Sequence, residues 1–170
     1  MTKVFLFSDT HSYWNSEWVK YFNEADHIWH AGDIGDENLL CKIKEYCQNK
    51  ELKIVYGNID SNPIRFQTAE YCFFNLEGFK ILILHIAGAF GKYNQNTKDL
   101  ISRYQPDILV CGHSHILKVK YDSKFHLWYM NPGSAGKYGF HPKSTALFFE
   151  LNKGKIKNFN VIEWEKNKLA

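Results

Sequence analysis

The sequence predicts an α/β fold, and three observations carry that prediction. Over the first two thirds of the 170 residues, apolar runs alternate with helical patterns, as in chains that lay strands beside crossover helices. Nearly every apolar run ends in a cluster of polar residues and glycine. In the last third the pattern changes to antiparallel hairpins, so a mostly parallel sheet is expected first and hairpins after it.

The elements follow in order. KVFLFSD, residues 3–9, reads as the first strand, and NSEWVKYFNEA, 15–25, as a helix capped by Asn15 or Ser16. DHIWHAGD, 26–33, is the second strand; DENLLCKIKEY, 36–46, is a second helix with Asp36 as the N-cap before Glu37. LKIVYGNID, 52–60, supplies a third strand. AEYCFFNLEGFKILILHIA, 69–87, reads as a hairpin turning near Glu77 and Gly78, followed by a helix in QNTKDLISRY, 95–104. After Pro106 comes the strand DILVCGHSH, 107–115. The segments 116–133 and 145–164 read as hairpins turning near Asp122 to Lys124 and at Asn152 to Gly154. No linker, repeat or low-complexity stretch interrupts this order, so one domain over 1–170 is expected.

Composition agrees. A chain of this length with 45% hydrophobic residues can bury roughly 70% of its unfolded surface in one core. The 21 basic and 18 acidic residues are spread along the chain, so neither nucleic acid nor an anionic membrane is implied as a partner. MTKVFLFSDT reaches an aspartate too soon for a signal or membrane-spanning segment, which makes the cytoplasm the expected location. Cys41, Cys47, Cys72 and Cys111 lack CxxC spacing and are expected to be reduced and mostly buried.

The stretch ILVCGHSHI, 108–116, places two histidines two apart after a glycine at the end of an apolar run. Four other strand ends carry donors in the same relative place: Asp9 with His11, Asp33, Asn58 and His85. In an α/β sheet the carboxyl ends of parallel strands share one rim, where ligands bind. Asp9, His11, Asp33, Asn58, His85, His113 and His115 would converge there. Glycines at 32, 57 and 112 would let the backbone approach closely. Carboxylate, imidazole and amide donors without thiolate suit Mn²⁺, Fe or Zn²⁺ better than a soft metal. Seven donors are too many for one tetrahedral ion and suit two ions that share a carboxylate.

In order, SDTHS, GDIGD, GNID, LHIAG and GHSH make the chain resemble the calcineurin-like metallophosphoesterases, over roughly Lys3 to Gly136. It is similar in particular to the small single-domain phosphodiesterase branch, which also carries an NPGS segment like that at Asn131 to Ser134. The resemblance implies a four-layer α-β-β-α sandwich with two mixed sheets and the metals at one edge. It implies that Asp9, His11, Asp33 and His115 hold one divalent ion, and Asp33, Asn58, His85 and His113 the other. Mn²⁺ is the expected metal, with Fe, Zn²⁺ or Ni²⁺ as alternatives. The expected activity is hydrolysis of a small phosphodiester by a hydroxide bridging the two ions, with Asn58 and His113 near the transferring group. Two dications, two ligand carboxylates and one hydroxide leave about +1, which a diester monoanion neutralises and a monoester dianion overshoots.

Two positions depart from the family pattern. Ile59 stands where the wider superfamily has a histidine taken to protonate the leaving group, and Ile86 stands where glycine usually follows the ligand histidine. Other polar residues invite weaker roles. His30 reads either as orienting Asp33 or as a hydrogen-bonded core histidine, Trp14 and Trp18 as packing the first helix, and Lys137, His141 and Lys143 as forming a solvated loop or lining a phosphate pocket. The alternative to an enzyme is a protein-interaction scaffold, as in the retromer-type subunit that the same branch resembles. A homo-oligomer is left open.

Overall fold

In the computed structural model of the protein, which describes residues 1–166, β1 (Thr2–Phe7), α1 (Trp18–Glu24), β2 (His27–His30), α2 (Glu37–Tyr46) and β3 (Glu51–Ile54) come first. They are followed by α3 (Asn62–Gln67), β4 (Tyr71–Leu76), β5 (Phe79–Leu84), β6 (Gly88–Ala89), β7 (Lys92–Tyr93) and α4 (Gln95–Tyr104). β8 (Ile108–Val110), β9 (Leu117–Asp122), β10 (Leu127–Pro132), β11 (Lys143–Asn152) and β12 (Lys155–Glu165) follow.

Two five-stranded mixed sheets result, in the orders β12-β11-β1-β2-β3 and β4-β5-β8-β10-β9, beside the small pair β6-β7. In the first, β1, β2 and β3 are parallel and the β11-β12 hairpin joins antiparallel to β1. In the second, β5, β8 and β10 are parallel, with β4 and β9 as antiparallel edges. The parallel strands thus divide between two sheets instead of forming one. After β3 the chain turns through the short α3 into the β4-β5 hairpin, and β5 then becomes the partner of β8.

The period of two along each strand explains the layering. Phe5 and Phe7 of β1 pack with Trp18, Phe22, Leu40 and Ile43 under α1 and α2, while Val4 and Leu6 meet Ile81, Ile83, Val110 and Met130 between the sheets. Leu82, Leu84 and Leu109 point the other way, onto Leu100 and Ile101 of α4. Strands covered on both faces read as continuous apolar runs, which is why VFLF and ILIL show no alternation. Helix, sheet, sheet and helix are therefore the four layers. Trp14 and Trp18 pack edge to face at 5.5 Å in the first of them, Trp18 fully buried.

Local chemistry sets the element ends, with some departures from the sequence expectations. Asp36 caps α2 by accepting from the Leu39 N–H at 2.8 Å. Asn15 does not cap α1; it accepts from the Glu17 N–H at 3.0 Å in an Asx turn, and the helix starts at Trp18. The turns Glu77-Gly78 and Lys153-Gly154 have positive φ at both residues, as two-residue hairpins require. α3, opened by Pro63, and the β6-β7 pair were not read from the sequence, because both are too short for a periodicity. Cys41 is exposed, since it falls on the outer side of α2, whereas Cys47 and Cys111 are buried as expected.

Among the described residues, no helix is long and apolar enough to cross a membrane.

Candidate metal centre

The register brings the strand ends level. Phe7 lies opposite His30 in the β1-β2 pair, and the following loops continue the pairing: Asp9 N–H to Gly32 O at 2.9 Å, His11 N–H to Asp33 O at 3.0 Å and Ser12 N–H to Ile34 O at 2.8 Å. In the other sheet Ile83 lies opposite Val110, and Gly112 N–H donates to His85 O at 3.0 Å. The two rims meet where the His113 N–H donates to both oxygens of Asp9, each at 3.2 Å.

Where each strand ends, the backbone leaves extended geometry. Asp9, His11, Asp33, His113 and His115 all have left-handed φ, between 46° and 68°. Such a conformation costs on the order of 1–3 kcal/mol at a non-glycine residue, least for Asp, Asn and His, and strain of this kind collects at functional sites. All three glycines expected from the sequence are needed for close approach: a Cβ on Gly32 would come within 2.6 Å of His85 Nδ1. A Cβ on Gly57 would overlap the Asp33 carboxylate, and one on Gly112 would overlap Ser8 Oγ and come within 2.7 Å of Asp9 Oδ2.

All seven donor residues expected from the sequence come together. One ligand atom from each of Asp9, His11, Asp33 and His115 lies within 4.8 Å of the others, and the same holds for Asp33, His85 and His113. Asp33 belongs to both groups, with His11 Nε2 3.5 Å from its Oδ2 and His85 Nε2 3.2 Å from its Oδ1. His115 Nε2 is 3.2 Å from Asp9 Oδ1. Asn58 joins the second group through its Oδ1, 3.1 Å from His85 Nε2 and 2.9 Å from His113 Nδ1. Asp9, Asp33 and His85 are buried, while Asn58 and His113 face solvent, so the site is open on that side.

Protonation follows from the partners. The Ala31 carbonyl can only accept, so His85 Nδ1 at 2.7 Å carries a proton and Nε2 turns toward Asp33 and Asn58 oxygens. Burial pushes the His85 imidazole down, but Asp33 and Asp9 outweigh it and raise its affinity for a proton. The same field favours a metal cation among those atoms. Burial also opposes ionisation of Asp33, yet the His85 imidazole and the Ile59 N–H hold its carboxyl below the ordinary range. His11 is pushed down by burial, against Asp33 and Asp9, and its buried Nε2 has no hydrogen-bond partner among the described residues. An unpaired imidazole nitrogen beside two carboxylates fits a metal ligand.

The residues behind these donors tie the loops together. His30 accepts from the Gly32 N–H at Nδ1 (3.1 Å), so its Nε2–H donates to Thr10 Oγ1 (2.9 Å), and Thr10 in turn donates to the Ile34 carbonyl at 3.1 Å. His30 thus links the loop of Asp9 and His11 to the loop of Asp33, and complete burial pushes its imidazole down to about 4. Asn131 of the NPGS segment donates to Gly112 O at 2.8 Å, and Ser134 to Asp9 O at 3.1 Å. Cys111 lies in the core outside both donor groups, and burial pushes its thiol up to about 12.

Asp60 was missed by sequence reasoning. Only 3% exposed, it accepts from Gly57 N–H (2.8 Å), Gly35 N–H (2.8 Å) and Ile34 N–H (3.2 Å), pinning the Asn58 loop to the Asp33 loop. Its own carbonyl accepts from Arg65 Nε at 2.7 Å. The one available signal was an aspartate two residues after a donor asparagine. Of the basic residues after NPGS, Lys143 pairs with Glu163 at 2.9 Å and His141 contacts the Lys143 backbone. Lys137 lies over the Tyr13 ring, in a shallow recess beside His11, and Tyr138 sets its ring 5.3 Å from His11.

Comparison with known proteins shows the family and the fold. A "Probable metallophosphoesterase" of Mycoplasma pneumoniae is 29% identical over 158 residues, covering 89% of this chain and 90% of the relative. A structure described as a novel archaeal phosphodiesterase has a TM-score of 0.73 at 20% identity, covering 95% of this chain and 99% of that one. Vps29 from Entamoeba histolytica, complexed with Zn²⁺, has a TM-score of 0.70 at 18% identity, covering 97% and 99%. Both structures share the fold. The sequence profile of the calcineurin-like phosphoesterase superfamily domain matches residues 2–154, and the chain belongs to that superfamily.

Proposed function

We propose that the chain is a metal-dependent phosphodiesterase acting on a small phosphodiester, with two divalent ions per chain. The observation that carries this reading is Asp33, whose carboxylate belongs to two donor groups at once. In it, Asp9, His11, Asp33 and His115 hold one ion and Asp33, Asn58, His85 and His113 the other, with Mn²⁺ the favoured metal. Bound there, the ions supply Lewis acidity toward phosphate oxygens and a nucleophile from water at neutral pH.

The chain's own residues do the rest. His85 is held in one tautomer by Ala31, so its Nε2 stays directed at the centre. Asn58 and His113, on the open side, are placed to meet the transferring phosphoryl group and stabilise charge on its oxygens. Ile59 cannot donate a proton, so the leaving oxygen departs as an anion or takes its proton from water. The single domain and a cytoplasmic setting belong to the same reading.

A second reading, a protein-interaction scaffold, draws on the fold likeness to Vps29 and on Ile59, Ile86, Ile116 and Tyr138, each exposed near the centre. The test is Mn²⁺ added to metal-free protein with an activated aryl phosphodiester. The enzyme reading expects hydrolysis, lost in His113→Ala. Absence of turnover above background, with a partner protein co-purifying stoichiometrically, would decide for the scaffold.

A further inference from the structure

Two cavities flank the second donor group, one on each side of Ile86. The first, about 240 Å³, opens beside Asn58 and His85 and is lined by Tyr56, Arg65, Glu70, Tyr71, Leu84 and Asn96. The second, about 280 Å³, opens beside His113 and is lined by Ala87, Ala89, Phe90, Ile116, Lys118 and Tyr129. Ile86 lines both, is 39% exposed, and has its carbonyl fixed by the Asn94 side-chain amide at 2.8 Å. It forms a ridge where the family pattern places glycine. The two elements that the sequence did not disclose supply the walls: α3 brings Arg65 to the first cavity, and β6 brings Gly88 and Ala89 to the second.

The two cavities differ in chemistry. The first combines two phenol rings, a guanidinium 4.7 Å from the Tyr56 ring centroid, a carboxylate and an amide. Such a lining can lie against a planar group and meet both donors and acceptors along its edge. No carboxylate among the described residues pairs with Arg65, which donates to the carbonyls of Gly57, Asn58 and Asp60. The second cavity offers mainly alkyl and aromatic carbon, with the Lys118 ammonium 5.8 Å from the Phe90 ring centroid. Each volume falls below the ~300–1,000 Å³ of a drug-sized site, so each suits one substituent and the pair suits a whole small molecule.

We infer that the substrate is an unsymmetrical phosphodiester with a planar, hydrogen-bonding arm of the nucleoside class in the first cavity and an apolar aryl or short alkyl arm in the second, divided by Ile86. This rests on the phosphodiesterase reading above. In the reaction one P–O bond to an arm breaks and one bond from a water oxygen to phosphorus forms. The water's protons end on the departing alcohol and the monoester product. A monoester would leave one cavity empty.

The test compares thymidine 5′-(4-nitrophenyl) phosphate with methyl 4-nitrophenyl phosphate, which share a leaving group, on the Mn²⁺-loaded protein. The nucleoside diester is expected to have a kcat/KM at least about tenfold higher, the worth of one or two hydrogen bonds. Glu70→Ala combined with Asn96→Ala should bring that ratio toward one, and Ile86→Gly should reduce it by merging the cavities. Calorimetry with the matching benzylphosphonate esters, in which CH₂ replaces the aryl oxygen, should give the same ranking without turnover. Turnover of both diesters with equal kcat/KM, and a ratio unmoved by the variants, overturns the two-armed cleft and leaves the phosphodiesterase reading intact. Preferential binding of the nucleoside phosphonate without turnover of either diester supports the cleft and overturns the hydrolytic reading. Absence of both binding and turnover overturns the two together.

Discussion

Asp60→Ala is the perturbation that most directly asks what holds the candidate centre in shape. The carboxylate is 3% exposed and is the acceptor for three backbone N–H groups, two at 2.8 Å and one at 3.2 Å. A hydrogen bond to a charged group is worth ~1.5–3 kcal/mol, and each buried donor left without a partner costs ~1–3 kcal/mol. The three share one carboxylate, so their effects do not add, and a loss of about 3–5 kcal/mol is expected for Asp60→Ala. Asp60→Asn keeps one acceptor oxygen but sets an NH₂ against a backbone N–H, for a loss of about 1–3 kcal/mol. Urea denaturation of the metal-free protein measures both, because bound metal would mask the change. Released from Asp60, the loops of Asn58 and Asp33 should separate, so Mn²⁺ affinity should also fall. If the alanine variant fails to fold, the asparagine variant carries the test. An alanine variant within about 0.5 kcal/mol of wild type, with unchanged Mn²⁺ affinity, would refute the assignment of Asp60 as the clasp between the loops.

Ile59 touches the centre through its backbone, donating its N–H to Asp33 at 3.1 Å, while its side chain is 43% exposed. General acid catalysis is worth ~10²–10⁴-fold, about 3–5 kcal/mol of barrier, so wild-type rates on a graded diester series should fall steeply with leaving-group pKa and Ile59→His should flatten that slope. A flat series in the wild type would show that another proton donor is already at work. His30 makes a pH prediction. Its imidazole is pushed from the ordinary 6.5 to about 4 by burial, so the unfolded chain takes up its proton first as pH falls. Its contribution to stability is complete above pH 6.5 and is lost between 6.5 and 4, about 2 kcal/mol of it by pH 5. Denaturation of metal-free protein at pH 7, 6 and 5 should show a shallower fall in His30→Asn than in wild type, and equal slopes would contradict the assignment.

The donor residues were legible because the parallel strands of each sheet end on a rim, so position along the chain translates into position on that rim. Asp9, Asp33, Asn58, His85 and His113 each follow an apolar run; register brings them level within each sheet, and the packing of the two sheets, which the sequence does not spell out, brings the rims together at the His113–Asp9 contact. Two sheets rather than one were not legible in the alternation, since it is the pairing of β5 with β8 that separates them. Asp60 was hidden because its three partners are backbone N–H groups, which leave no trace in residue identity. The cavities were hidden because α3 and β6-β7 are too short to show a period, and the φ of +90° at Gly88 that turns the chain into β6 cannot be told from any other glycine. Ile86 was visible as a departure from the family pattern, but its role as a ridge needed the walls on either side.

The central claim is that Asp33 serves two metal positions at once, and titration calorimetry of Mn²⁺ into metal-free protein tests it most directly. Wild type should take up two ions per chain, Asp9→Asn should weaken mainly one of them, and Asp33→Asn should weaken both. A single ion per chain in wild type, or an Asp33→Asn variant that binds as wild type does, would contradict it.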